Sequence, residues 1–294
     1  MRHIVKYDYS TQLTAEKNCG ELANPYVAGY ADVIEWNRDT ISPYSYQMPF
    51  NIRAWAWGEN ITIAKTNEAS AITLYYSTNN RDWYEFSEYT TTGSMQSVYF
   101  KGNMKDHDTS ANIFSVSGGY LIQGNLMSLY LGDGFYEVRD IDFPVSLSFQ
   151  NDTNLTSNST IINLNSTKEA FGNSMFSGCT SLTSAPMICI KHAGNNALKN
   201  MYAGCTNLGG FSDMVISTCG DNFAENMFSG CTSLSKFKCL VLNNPYSGSS
   251  NPPFNNAFVD AGTLAQTTPT FIKNTNATWI NSIIPQGWNV QTEK

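Results

Sequence analysis

MFSGCTSL at Met175–Leu182, MYAGCTNL at Met201–Leu208 and MFSGCTSL at Met227–Leu234 are copies of one phrase, set 26 residues apart. Met, Gly, Cys, Thr and Leu are the same in each copy, and the remaining positions admit only Phe/Tyr, Ser/Ala and Ser/Asn. So regular a period predicts a solenoid, in which each unit carries an apolar face too small to fold alone and buries it against the next. Repetition of this kind builds a surface, and it favours display over a catalytic pocket.

Working outward from the phrase gives one unit. Ser166–Glu169 has the S-x-x-E form of a capping box, and Thr218–Asp221 is a weaker version of it. Apolar pairs at i,i+4 follow, Phe171/Met175, Ala197/Met201 and Phe223/Met227, as a short helix would place them on one face. Gly178, Gly204 and Gly230 then stop that helix as left-handed caps. Leu182, Leu208 and Leu234 come next, ahead of a strand whose alternating positions Ile188/Met214/Leu240 and Ile190/Ile216/Leu242 keep the same spacing. These strands are expected to pair in parallel in one sheet.

In this reading Met175, Met201 and Met227 join the three Leu residues as the core between units. Cys179, Cys205 and Cys231 fill it as small reduced thiols. The other cysteines are Cys19, Cys189, Cys219 and Cys239, and no CxxC pair or His-containing ligand set occurs. Disulfides and zinc stand as the alternatives to buried thiols. At ~1.5–3 kcal/mol per large apolar side chain, a unit gains on the order of ten kcal/mol before entropy is subtracted. Leu208→Asp is therefore expected to unfold more than its own repeat.

The remainder divides around the repeats. Residues 1–45 read as a separate strand-rich anchoring or docking segment, with strands at His3–Tyr9 and Asn24–Trp36. Residues 46–135 alternate polar and apolar as a small β-sandwich does. Its inward set is Trp55, Trp57, Ile63, Leu74, Tyr76, Trp83, Phe86, Val98 and Phe100, with Leu126–Gly132 as a closing strand. Residues 136–294 hold a further alternating run (Phe143–Phe149), a polar Asn/Ser/Thr stretch, the repeats and a C-terminal cap. The cap draws its apolar cover from Trp279, Ile280, Ile283, Ile284 and Trp288.

Composition limits the function. Charged residues make up 14% of the 294, net charge is −7 and no basic run exists, so a nucleic-acid partner is not expected. The opening MRHIVKYDYSTQLTAEKN has no apolar h-region, and no stretch approaches the ~18 apolar residues of a span. Neither a signal peptide nor a membrane span is expected. His3, His107 and His192 lie far apart, and Asp106-His107-Asp108 reads as a solvated loop. Glu137, Asp140 and Asp142 lack the EF-hand pattern, and Gly132–Gly134 is a turn without a phosphate-loop Lys. No catalytic residue, metal or cofactor is assigned, and the chain is read as a non-enzyme.

MFSGCTSLTSAP, MYAGCTNL and MFSGCTSL, followed by KCLVLNN and the closing IPQGWNV, resemble the BspA-type leucine-rich repeat family of Bacteroidales bacteria and their phages. The likeness spans roughly residues 149–291, and the β segment before it is similar to the sandwich that often precedes such repeats. It implies a mainly β fold with short helices, in which a β-sandwich-like domain leads into a leucine-rich-repeat solenoid. It also implies a non-enzymatic protein that binds a host surface protein or glycan. Without a leader, the chain is expected in a phage virion, as a homo-oligomeric fibre or decoration subunit held to other virion proteins by residues 1–45. A bacterial cell-surface adhesin is the alternative.

Overall fold

The computed structural model describes residues 48–93, 95–107, 112–145, 147–211, 213–248 and 251–293. The anchoring segment assigned to residues 1–45, with Cys19 and His3, lies outside them.

The first region begins with β1 (Asn51–Ala54), β2 (Thr62–Lys65), β3 (Leu74–Ser77), β4 (Tyr84–Glu85) and β5 (Glu88–Thr90). β6 (Val98–Gly102), β7 (Phe114–Val116) and β8 (Tyr120–Asn125) follow. β4, β3, β6, β1 and β8 pair antiparallel in that order, while β5, β2 and β7 make a small second sheet. The sheets meet through rings. Phe114 of the small sheet lies 4.8 Å from Phe100 and 5.8 Å from Phe50, and Phe86 meets Phe100 edge-on at 4.9 Å.

Ile63, Leu74, Phe86, Val98 and Phe100 are buried there and Tyr76 packs against this core, but the inward assignments of Trp55, Trp57 and Trp83 fail. Trp57 is 80% exposed and Trp55 48%, because β1 ends at Ala54 and the chain turns out at Gly58, beyond the reach of the strand alternation. Tyr76 and Trp83 are half-buried. The expected closing strand at Leu126–Gly132 is instead a helix, α1 (Met127–Leu131). Its Met127, Ser128, Leu129 and Tyr130 are all buried, and a short, mostly apolar run does not by itself tell strand from helix. Phe143–Phe149 forms no strand among its described residues, although Val145, Leu147 and Phe149 are buried.

After β9 (Asp140–Ile141), the polar stretch is the long strand β10 (Leu155–Thr167). Its first half pairs parallel with β8 and its second half with β12 (Ile188–Ala193), so one sheet of nine strands runs from the first region into the repeats. Asn158 of that strand is buried, and its Oδ1 accepts bonds from the Thr160 amide and hydroxyl at 3.0 and 2.7 Å, while its Nδ2 has no hydrogen-bond partner.

The first two units each contribute to two parallel sheets, where the sequence predicted one. β12 pairs with β14 (Met214–Cys219), and the rungs Ile162/Ile188/Met214 and Leu164/Ile190/Ile216 keep the 26-residue offset. β11 (Ser184–Ala185), β13 (Gly210–Phe211), β15 (Lys236–Cys239), β16 (Thr270–Asn274) and β17 (Asn289–Glu293) form the second. In the third unit the strand is β15, and Leu240 and Leu242 follow it outside any strand.

The short helices predicted ahead of each Gly are absent. Ser166 and Thr218, read as helix caps, lie inside β10 and β14. The chain from residue 170 to Gly178 and its counterparts are consecutive turns with positive φ at every fourth residue. These residues are Ala170/Ser174/Gly178, Asn196/Asn200/Gly204 and Asn222/Asn226/Gly230, and an α-helix excludes that conformation. Alternate amides divide the bonding. In the second unit, Met201, Ala203 and Cys205 donate three residues back, while Asn200, Tyr202 and Gly204 donate to Glu225, Met227 and Ser229 of the next unit. Each turn is thus closed by its own unit and laced to its neighbour.

The lacing reaches past the recognisable copies. Phe149 and Asn151 donate to Met175 and Ser177, while Ala224 and Phe228 donate to Pro253 and Ala257. At the C-terminal end Ile280 is fully buried, and Trp279, Ile283, Ile284 and Trp288 pack partly buried against the core.

Candidate functional site

The invariant Met, Cys and Leu of the repeated phrase turn inward, while the invariant Thr180 and Thr206 are exposed and Thr232 is half-buried. Met175, Met201, Met227, Leu182, Leu208, Leu234 and the three cysteines have no exposed surface. Each Cys donates its S–H to the carbonyl of the aromatic residue one unit back: Cys179 to Phe149 at 2.9 Å, Cys205 to Phe176 at 3.0 Å and Cys231 to Tyr202 at 3.1 Å. Burial pushes the Cys231 thiol up to about 12 and the other two higher still, so the thiolate that would act as a nucleophile is suppressed. Gly178, Gly204 and Gly230 have φ of 75°, 75° and 73° and lie directly over one another, so a Cβ on Gly230 would sit 3.5 Å from the Cα of Gly204.

Beside the thiols runs a column of rings that the motif alone did not reveal. Phe149, Phe176, Tyr202, Phe228 and Phe258 stack at 5.5, 5.5, 5.8 and 5.6 Å, each ring plane within 16° of the next. The restriction of the second motif position to Phe or Tyr was its signal. The Tyr202 hydroxyl is buried there without a hydrogen-bond partner.

The polar groups singled out in the sequence stay dispersed. Among the described residues no group of three His, Cys, Asp or Glu side chains could hold a metal ion. His107 lies 3.3 Å from the Asn103 amide, and Asp140 accepts a bond from Ser166 at 3.0 Å. His192 Nδ1 meets Thr218 Oγ1 at 2.8 Å, and partial burial, then Lys191, lowers its pKa against the opposing pull of Asp140. No helix among the described residues is long and apolar enough to cross a membrane.

One concave site does bring aromatic and charged side chains together, on the first region. Tyr75 on β3 and Lys101 on β6 are direct cross-strand neighbours, so their side chains share the outer face of the large sheet. The Lys101 ammonium lies 4.1 Å from the centre of the Trp83 ring and is paired with the Asp133 carboxylate. With Thr73, Asn103, Gly102 and Gly132 these residues line a cleft of about 340 Å³.

Two pieces of local structure set this geometry. Ser77–Trp83 forms a hairpin loop organised by Asn79. Its Oδ1 accepts bonds from the Arg81 and Asp82 amides, its Nδ2 donates to Asp82 at 2.7 Å, and Asn80 takes positive φ. On the other wall, buried Ser128 of α1 donates to the Phe100 carbonyl at 2.8 Å and accepts the Phe50 amide at 2.9 Å. That staples α1 across β6 at Gly102, where a Cβ would meet Leu74 Cδ2 at 2.7 Å and the Leu129 carbonyl at 2.8 Å. Gly132 then ends the helix with positive φ and delivers Asp133 to Lys101. Trp83 was assigned to the core by strand alternation, and it lies one residue before β4 begins.

Comparisons with known protein families, with curated proteins and with solved structures find no match for this chain.

Proposed function

We propose that this chain is a non-enzymatic attachment protein: a leucine-rich-repeat scaffold of the BspA type, carried on a phage virion as a fibre or decoration subunit and binding a host surface protein or glycan. One observation carries the reading. The invariant Met, Cys and Leu side chains of the repeat are consumed in the inter-unit core, and its cysteines are protonated donors to backbone carbonyls. The motif is therefore spent on stacking, and recognition falls to positions that the period leaves unconstrained. Residues 1–45 are assigned the role of joining the chain to other virion proteins, and homo-oligomerisation accompanies a fibre.

The fluorescently labelled full chain is expected to bind Bacteroidales cells saturably and to be competed by unlabelled chain. Absence of saturable binding to any strain of a broad panel counts against attachment. Gold-labelled antibody against the chain separates the virion from the alternative, a bacterial adhesin: label on purified particles supports the first, and label on uninfected cells the second.

A further inference from the structure

We propose that the cleft bounded by Tyr75, Trp83, Lys101 and Asp133 is a binding site for a neutral saccharide, on the β region that precedes the repeats. The proposal rests on the reading of the chain as an attachment protein, and it adds a ligand class and a place.

Tyr75 and Trp83 both line the cleft, and Tyr75 is 44% exposed although a large aromatic side chain gains from burial. The axial C–H bonds of a pyranose are weakly positive and apolar, and they pack on the negative face of an aromatic ring. The same sugar presents hydroxyls at its edge, each both donor and acceptor. The cleft offers the complement there: the Lys101 ammonium donates, and the Asp133 carboxylate, whose side chain is 90% exposed, accepts.

Charge selects among ligands. Lys101 and Asp133 neutralise each other, so neither an anion nor a cation finds an uncompensated partner in the cleft. An acidic saccharide would also meet a chain of net charge −7. A purely apolar ligand would strip water from the ion pair and return no hydrogen bond. A polyhydroxylated neutral molecule meets all three conditions. A volume of about 340 Å³ lies at the small end of ligand pockets, suited to one or two sugar rings of a longer chain.

The walls are also held before any ligand arrives. The Asn79 network fixes the loop that carries Trp83, the ammonium at 4.1 Å holds its ring, and Gly102 with Ser128 fixes the helix that delivers Asp133. Such preorganisation lowers the ordering cost of binding. Trp57, more exposed than Trp83, lies outside this cleft and is the internal control.

The test is calorimetric titration of the full chain with cellohexaose, maltohexaose, xylohexaose and laminarihexaose, with hexagalacturonate as the acidic comparison. At least one neutral hexamer is expected to bind. Trp83→Ala and Asp133→Asn should each weaken it about tenfold or more, Trp83→Tyr should retain most of the affinity, and Trp57→Ala should change it less than about twofold. Unchanged melting temperatures establish that the variants are folded, and Asp133→Asn, on an exposed side chain, keeps the test open if Trp83→Ala is not. Binding of none of the neutral hexamers, preference for hexagalacturonate, or full affinity in both variants overturns the proposal. Cell binding read in parallel separates the two ideas. If the chain binds cells but no hexamer, the cleft fails and attachment stands; if neither occurs, both fail.

Discussion

In the repeats one rule places every large buried side chain, whereas in residues 46–135 each is placed by its own neighbours. Leu182, Leu208 and Leu234 occupy equivalent burials, as do the three Met, the three Cys and the stacked rings. The first region has no such translation. Its aromatic core interlocks Phe50, Phe86, Phe100 and Phe114 at mixed angles, and it leaves Trp55, Trp57, Tyr75 and Tyr84 exposed. A residue type that recurs under a period is explained by packing against its own image. An aromatic residue outside any period and outside the core is where recognition is to be sought.

The contrast breaks most severely at the repeat core. Leu208→Asp places a charge where no exposed surface exists, at a cost of about 4 kcal/mol or more. Loss of far-UV signal across the whole solenoid in urea titrations is expected, and a well-folded variant would refute the ladder.

The next effect comes from alkali. Cys189, Cys219, Cys231 and Cys239 are raised by burial from 9.0 to about 12, and Cys179 and Cys205 rise further. The unfolded chain releases these protons near pH 9, while the folded chain keeps them until about pH 12. In that window the unfolded state holds fewer protons, so stability falls as pH rises above 9, on the order of 1 kcal/mol per thiol at pH 10. Urea midpoints between pH 8 and 10.5 check this, and Cys205→Ala should flatten the slope. A midpoint that stays constant over the range contradicts it.

Smaller changes sharpen the comparison. Gly102→Ala forces a methyl group against Leu74 and the Leu129 carbonyl, which should destabilise by roughly 1–3 kcal/mol and disturb the Lys101–Asp133 pair. Thermal melts, and loss of saccharide affinity at temperatures where the variant is folded, report it. Tyr202→Phe removes a buried hydroxyl without a partner, and a gain of about 1 kcal/mol is expected in urea titration. A loss of that size would show that the hydroxyl is hydrogen-bonded after all.

The period was legible because repetition reports itself: identical residues 26 apart require equivalent places, whatever the local conformation is. That conformation was not legible. Phe171 and Met175 sit at i,i+4, and a helix and a run of turns both bring such residues to one side. Asn196 and Asn200 before Gly204, and Asn222 and Asn226 before Gly230, set at intervals of four, marked the positive φ that favours turns. β10 escaped notice because its first half is nearly all Asn, Ser and Thr, and it is held by backbone pairing with β8 that no apolar alternation reports. The cleft was not visible because it joins Tyr75, Trp83, Lys101 and Asp133 from four separate stretches of chain. Strand alternation placed Trp83 inside, although it stands in the loop ahead of β4.

Native-state hydrogen exchange on Leu208→Ala tests the ladder most directly. The substitution leaves a cavity at one rung, worth about 2–5 kcal/mol. Because Phe176 and Gly178 donate to Met201 and Ala203, and Tyr202 and Gly204 to Met227 and Ser229, protection should fall together at all four of these amides. Amides of β1 and β6 should stay protected. Loss confined to residues 199–216, with Phe176 and Gly178 unchanged, would contradict the claim that the repeated residues form one cooperative stack.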